Sequence, residues 1–304
     1  MTGYLTAAGK GEGVTINYCG FSGGKDSQTV GLWLVHESGV PRESIRFTFC
    51  DTSNEHQFTY DHIQLLSAYF QAQGCSPVVT LKPERGFFEL ARWKRRFPSR
   101  RARFCTQFLK VIPSREDVMA LIRADHEVIV HSGVRAGESL GRAKLVERGF
   151  DDMFGCVVNR PLLRWTLPEV LAYNQRFNLP LNPLYSYGMS RVGCFPCINS
   201  RKSEIKLISI HFPERIDQLR SQELQFNGVT RNISTFFAPK TVPERFRTHE
   251  ITTNKGARMN VATIDDVVRW SRTGKRAREI QPYLSAEFDD DATLACPGGQ
   301  GMCE

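Results

Sequence analysis

Apolar residues recur along the chain in two alternating patterns. Short runs rich in β-branched and aromatic residues, at 14–21, 44–50, 77–81 and 127–131, read as buried strands. Between them the apolar positions shift to helical spacing. A helix is expected straight after the first run, and another over 56–73, where Phe58, His62, Leu65, Leu66 and Tyr69 fall near a helical period. A Ser-x-x-Asp cap at Ser114 predicts the start of a further helix, and a Thr-x-x-Glu box at Thr166 one that reaches about Phe177. Strands alternating with helices predict an α/β fold, a doubly wound and mostly parallel sheet. Past Cys197 the pattern weakens, with helices expected over 213–226 and, from a Thr-x-x-Asp cap at Thr263, over 263–270. We therefore expect an α/β domain over 14–190 and a helical, cysteine-bearing extension over 191–304.

Composition narrows the class. With 304 residues, 41% hydrophobic and 24% charged, the chain has the balance of a soluble globular protein. No apolar run approaches ~18 residues, so no membrane span is expected. Residues 1–13 are small and polar without an apolar core, which predicts no export and a cytoplasmic location. A net charge of +8 suits either a polyanionic partner such as nucleic acid or a solvated surface. Nine cysteines are an odd number and too sparse for a disulfide scaffold, so clustered thiols point to metal or redox chemistry.

The densest chemistry lies between the first strand and its helix, at Ser22, Gly23, Gly24, Lys25, Asp26 and Ser27. Strand, glycine turn and helix aim backbone N–H groups at an anion, and a nucleotide phosphate is the expected ligand. The glycines admit close approach, Lys25 brings a cation, the serines offer hydroxyls, and Asp26 suits a Mg²⁺ beside the phosphates. The spacing differs from the GxxxxGK[ST] loop. Asp51, at the end of the second strand, is placed to face the same ligand or to make an Asx turn. Between Arg92 and Arg103 seven basic side chains interleave with Trp93 and Phe97. That stretch suits unpaired nucleic acid, the phosphates of a small nucleotide, or a solvated face. A second basic cluster, Arg269 to Arg278 near Trp270, reads as an exposed helix end.

The run from Ser22 to Ser27 resembles the SGGKDS pyrophosphate loop of the ATP pyrophosphatase superfamily, the adenine nucleotide alpha hydrolases. Cys105-Thr106-x-x-Leu109-Lys110-x-x-Pro113 resembles a segment of phosphoadenosine phosphosulfate (PAPS) reductases and of the ATP pyrophosphatases of DNA phosphorothioation systems. In adenosine phosphosulfate (APS) reductases that place carries a Cys-Cys pair ligating a [4Fe–4S] cluster, whereas here Thr106 replaces the second cysteine. Gly133-x-Arg135-x-x-Glu138-Ser139-x-x-Arg142 is similar to a segment of the same families. The resemblance covers 14–204 and implies an adenine nucleotide alpha hydrolase-like fold. It also implies ATP and Mg²⁺ as ligands, with Lys25 and Asp26 catalytic and Arg135, Glu138 and Ser139 beside the nucleotide.

Cys194-x-x-Cys197 alone suits a zinc knuckle, a redox dithiol or two unrelated thiols. Cys296 and Cys303 lie near the end of the chain. Beside the cluster-bearing relatives, a [4Fe–4S] cluster is favoured over Zn²⁺, on Cys105, Cys194, Cys197 and Cys303, or on Cys194, Cys197, Cys296 and Cys303. The thiol left out of the four is then a candidate nucleophile or sulfur carrier, while in a reductase reading Cys303 is a candidate catalytic thiol. Cys19 and Cys50 are expected in the core. The leading expectation is an ATP pyrophosphatase that adenylylates an acceptor for sulfur insertion, the acceptor being DNA as in phosphorothioation and the sulfur coming from a cysteine desulfurase. Thiolation of tRNA is a close variant. A sulfonucleotide reductase is the alternative, although those enzymes resemble one another in a terminal Glu-Cys-Gly-Leu-His and this chain ends Gly301-Met302-Cys303-Glu304. A non-catalytic nucleotide-binding zinc protein is the third reading.

Overall fold

β1 (Thr15–Phe21) leads through three loop residues into α1 (Lys25–His36), and β2 (Ile45–Cys50), α2 (Gln57–Ala72), β3 (Val79–Leu81) and α3 (Phe87–Trp93) follow in the computed structural model. A short helix α4 (Phe104–Thr106) passes through a π-helical turn (Gln107–Val111) into α5 (Ile112–Arg123). Next come β4 (Glu127–His131), β5 (Arg148–Asp151), β6 (Cys156–Asn159) and α6 (Leu167–Gln175). The chain continues with α7 (Lys202–His211), α8 (Pro213–Val229), the hairpin β7 (His249–Thr252) and β8 (Arg258–Val261), and α9 (Ile264–Ser271). The structure describes residues 13–229, 235–237, 242–252 and 256–274.

The main sheet has the order β3-β2-β1-β4-β6-β5. β1 pairs in parallel with β2 on one side and β4 on the other, so that Cys19 lies between Phe47 and His131. Only the edge strand β5 is antiparallel, joined to β6 as a hairpin. The expected mostly parallel α/β sheet is therefore present. Strand order reverses between β1 and β4, which opens a crevice beyond their carboxyl ends where ligands of such sheets bind. The loop after β1 and the loop after β4 both lie there.

Phe21, Phe47 and Phe70 stack with centroids 4.5–5.5 Å apart and join the sheet to α1 and α2. Cys19 is buried among them, as its strand run implied. A separate apolar core gathers Phe87, Leu90 and Phe97 with Tyr185, Phe195, Ile208, Leu219 and Val267. It crosses residue 190, so α7–α9 pack onto α3 and the π turn of the α/β unit.

Two expectations change. The helix expected to begin at Ser114 begins upstream, and Ser114 lies buried inside α5, its hydroxyl 3.2 Å from the Cys50 thiol. Cys50 is consequently only half-buried and touches a polar neighbour and the Lys110 carbonyl, rather than filling the core. By contrast, the Thr166 and Thr263 caps form as read, each hydroxyl accepting the N–H three residues on. No helix among the described residues is long and apolar enough to cross a membrane.

Candidate active site

The turn Ser22–Gly24 delivers the chain from β1 into the N-terminus of α1. Gly23 takes φ +77°, and a Cβ there would lie 2.8 Å from Thr59 of α2, so both conformation and contact demand glycine. The loop amides are met by hydroxyls. Ser22 N–H points to Ser27 Oγ at 3.3 Å, Gly24 N–H to Ser22 Oγ at 3.3 Å, and Lys25 N–H to the Tyr185 hydroxyl at 3.0 Å. These are weak neutral acceptors on donors that, at a helix N-terminus, suit phosphate oxygens better.

Lys25 and Asp26 are both buried and pair with each other at 2.8 Å. Asp26 Oδ1 also accepts from Arg135 Nε at 2.6 Å, so one carboxylate holds two cations in the crevice. Both of its oxygens are engaged, an arrangement that suits positioning Lys25 and Arg135 more than ligating Mg²⁺. Gly133 makes this possible, because a Cβ there would sit 3.1 Å from the backbone carbonyl of Asp26. Glu138 accepts the Arg135 N–H at 3.0 Å and pairs with Arg135 and Arg142 through its carboxylate, while Ser139 Oγ accepts the Arg142 N–H at 3.2 Å. Glu138 and Ser139 thus shape the loop that presents Arg135.

At the end of β2, Asp51 Oδ1 accepts from Ser53 N–H at 2.9 Å and from the Tyr60 hydroxyl at 2.8 Å, which is the Asx turn. The neighbouring Glu55, which nothing in the sequence pattern singled out, is the more deeply placed carboxylate. It accepts from Thr52 and Asn54 N–H groups and from the Thr52 and Tyr60 hydroxyls. Burial holds its carboxyl above the usual range.

Residues 54–55 also clasp the CxxC. Glu55 and Cys194 form an antiparallel bridge, Phe195 N–H donates to the Asn54 carbonyl at 2.6 Å, and Asn54 Nδ2 donates to the Pro196 carbonyl at 3.2 Å. Arg215 of α8 donates to the Asn54 side chain and the Phe195 carbonyl. One pocket is then lined by Cys105, Cys194 and Cys197, with Lys110, Arg103 and Arg191 around them. Burial pushes the Cys194 thiol up to about 12 and raises Cys105 as well. Burial alone would lower Lys110, but the facing Cys194 and Glu55 hold its ammonium above the ordinary value. Asn199 N–H donates to Cys197 Sγ at 3.5 Å. The π turn that carries Lys110 is a helical irregularity frequent at functional sites.

Three of the five candidate thiols therefore share a pocket, while Cys296 and Cys303 lie outside the described residues. Among the described residues no group of three or more His, Cys, Asp or Glu side chains is arranged to hold a metal ion. The described thiols alone do not fit a [4Fe–4S] or zinc site. Glu55 and Tyr185 belong to the site without a role legible in the sequence, whereas Gly133 and Lys110 stand within the motifs around Arg135 and Cys105.

A profile of the phosphoadenosine phosphosulfate reductase domain matches residues 17–200, more than half of the 304-residue chain. An uncharacterized 37.8 kDa protein of Escherichia phage 186 is 30% identical over 341 residues, covering 95% of this chain and 97% of the phage protein. An adenosine 5'-phosphosulfate reductase of Geobacillus thermodenitrificans is 30% identical over 173 residues, 55% of this chain and 68% of the relative. A crystal structure of PAPS reductase from Candida auris aligns over 60% of this chain and 82% of its own, with a TM-score of 0.45 and 19% identity. By the extent of the family match, the chain belongs to the phosphoadenosine phosphosulfate reductase domain family.

Proposed function

We propose that this family member is an ATP pyrophosphatase that adenylylates an acceptor oxygen so that sulfur can replace it, with nucleic acid as the acceptor and DNA phosphorothioation as the favoured setting. The observation that carries the reading is the joining of two sites at one set of strand ends. The Lys25–Asp26–Arg135 crevice is tied to the thiol pocket through the 52–59 segment, since Thr59 packs on Gly23 while Asn54 and Glu55 hold Cys194 and Phe195. Activation and sulfur delivery would then be neighbours.

In this reading the acceptor oxygen attacks the α-phosphorus of ATP, the bond to the β-phosphate oxygen breaks, and pyrophosphate leaves. Lys25, Arg135 and the loop amides offset the charge that grows on the leaving pyrophosphate. ATP arrives with Mg²⁺, which neutralises phosphate charge when bound. A thiolate of the pocket, Cys105 in this reading, takes the outer sulfur from a persulfide of a cysteine desulfurase and releases the desulfurase thiolate; the persulfide so formed displaces AMP from the acceptor. A thiol reductant then cleaves the remaining S–S bond, supplying two electrons and leaving sulfur on the acceptor. A bound cluster or zinc belongs to this proposal only with a fourth thiolate from Cys296 or Cys303, and iron, sulfide and zinc analysis of anaerobically prepared protein decides it.

A second reading has a specific observation behind it, the family match together with the relative named as an APS reductase. There a thiolate attacks the sulfur of a sulfonucleotide, and sulfite follows after reduction by a dithiol. The experiment separates the two. Anaerobic protein is incubated with Mg-ATP in one tube and with APS or PAPS plus a thiol reductant in another. AMP and pyrophosphate from the first tube are expected; sulfite from the second, with no ATP cleavage, would overturn the proposal.

A further inference from the structure

We infer that the segment from α3 to Cys105 is a platform for single-stranded nucleic acid, with Trp93 stacking an unpaired base and the flanking arginines taking its phosphates. This rests on the reading of nucleic acid as the acceptor, and it names the surface that would receive it.

The arrangement of the segment separates structural residues from displayed ones. Phe97, one of the interleaved aromatics, is buried and stacks on Phe226, so it belongs to the core. Trp93 is instead 52% exposed, with Lys94 over its ring at 4.1 Å and Arg85 at 5.0 Å. An exposed indole ringed by cations offers a π face to a base, and either cation can move to the adjacent phosphate when a base takes its place. Arg95, Arg96, Arg100 and Arg101 are exposed, and no carboxylate among the described residues pairs with them. Four exposed guanidinium groups without a carboxylate partner thus fall within seven residues, whereas Arg220 is neutralised by Asp217 and Asp265.

Backbone conformation supplies an independent observation. α3 ends in a Schellman motif, with Arg96 N–H bonding the Ala91 carbonyl and Arg95 N–H the Arg92 carbonyl. The motif puts Arg95 at φ +53°, a position that glycine fills at no steric cost and that arginine takes at a disadvantage. A cation held where it destabilises the turn points to use of its charge.

Continuity with the candidate active site completes the case. Ser99 and Ala102 close a turn that carries Arg100 and Arg101 at its tip. The chain then passes directly to Arg103 and Cys105, both on the wall of the thiol pocket. A strand laid over Trp93 and the turn is led by positive charge to that pocket.

The test uses the full chain and labelled oligo(dT) and oligo(U) of about 16 nucleotides, the upper end of single-strand site sizes, with a duplex of equal length. Anisotropy is read over a range of salt. Both single strands are expected to bind more tightly than the duplex. Trp93→Ala is expected to weaken single-strand binding roughly 5- to 150-fold, the range for one lost base stack, while Trp93→Phe retains most of it. Arg95→Gly is expected to raise the melting temperature yet reduce the salt slope by about 0.7, one phosphate contact fewer.

No single-strand binding by the wild-type chain overturns the inference, as does equal affinity in Trp93→Ala. Arg95→Gly with unchanged affinity and slope does the same. Pyrophosphate release from ATP is measured in parallel: its absence with oligonucleotide binding intact refutes the proposed activity and leaves the platform standing.

Discussion

Asp26 shows how one buried carboxylate can organise a site by saturation. Its two oxygens hold Lys25 and Arg135, so removing its charge takes away the carboxylate that lies between two buried cations. Asp26→Asn is therefore expected to destabilise the fold by about 3 kcal/mol or more, the range for breaking a buried ion pair. Lys25→Ala differs, because Arg135 still pairs with Asp26. It is expected to keep the wild-type melting temperature within a few degrees and to lower pyrophosphate release from ATP at least ~100-fold, as for loss of one positioned donor to a developing anion. Thermal denaturation beside a pyrophosphate assay checks both variants. Wild-type turnover in Lys25→Ala would remove the loop from the chemistry.

Among the elements, α8 carries a titrating device. Glu223 is buried, and its carboxylate accepts the N–H of Phe236 at 2.8 Å and of Ile264 at 2.9 Å, linking α8 to α9. Burial pushes its carboxyl up to about 7 from an ordinary 4.5, and Asp265 and Asp266 add to the effect. Below about pH 4.5 the group is protonated in folded and unfolded chains alike. Between 4.5 and 7 only the unfolded chain releases its proton, so this residue's contribution to stability falls as pH rises, and above 7 the loss is constant. The gap corresponds to on the order of 3 kcal/mol. Glu223→Gln keeps an acceptor oxygen and cannot ionise. Denaturant titrations of both proteins from pH 4 to 8 are expected to show the variant gaining on the wild type by up to that amount, mostly between pH 5 and 7. Parallel curves would mean that Glu223 is not strained by its burial.

At the scale of the whole molecule, the sheet's reversal between β1 and β4 places the Ser22–Gly24 turn and the loop bearing Arg135 side by side, and the second core draws the CxxC over the end of β2. Two sites made from distant parts of the chain should then be separable by substitution. Cys105→Ser is expected to leave pyrophosphate release from ATP within about twofold of wild type and to abolish transfer of labelled sulfur to an oligonucleotide. The two activities are followed in one reaction with ATP, a persulfide donor and a thiol reductant. Loss of both together would place Cys105 in nucleotide binding instead.

What could be read from the chain alone follows the range of the interactions concerned. Four of the five parallel strands, the helices over 57–72 and 213–229 and the caps at Thr166 and Thr263 were legible because each depends on residues a few positions apart. The loop at Ser22–Ser27 was legible for the same reason, since a turn and a helix N-terminus are local structures. The edge hairpin β5–β6, the hairpin β7–β8 and α7 were not, because their short or polar sequences form through packing on neighbours. Ser114 misled because a cap signal says nothing of a helix already running, and burial against Cys50 decided its role. Tertiary structure alone brought Tyr185 to Lys25 across 160 residues and Arg135 to Asp26 across 109, and set Glu55 beside Cys194 across 139. The sequence by itself determined most of the sheet and the glycine turn that leads from β1 into α1. Which charges hold that loop, and which thiols stand near it, depended on contacts whose partners no local pattern names.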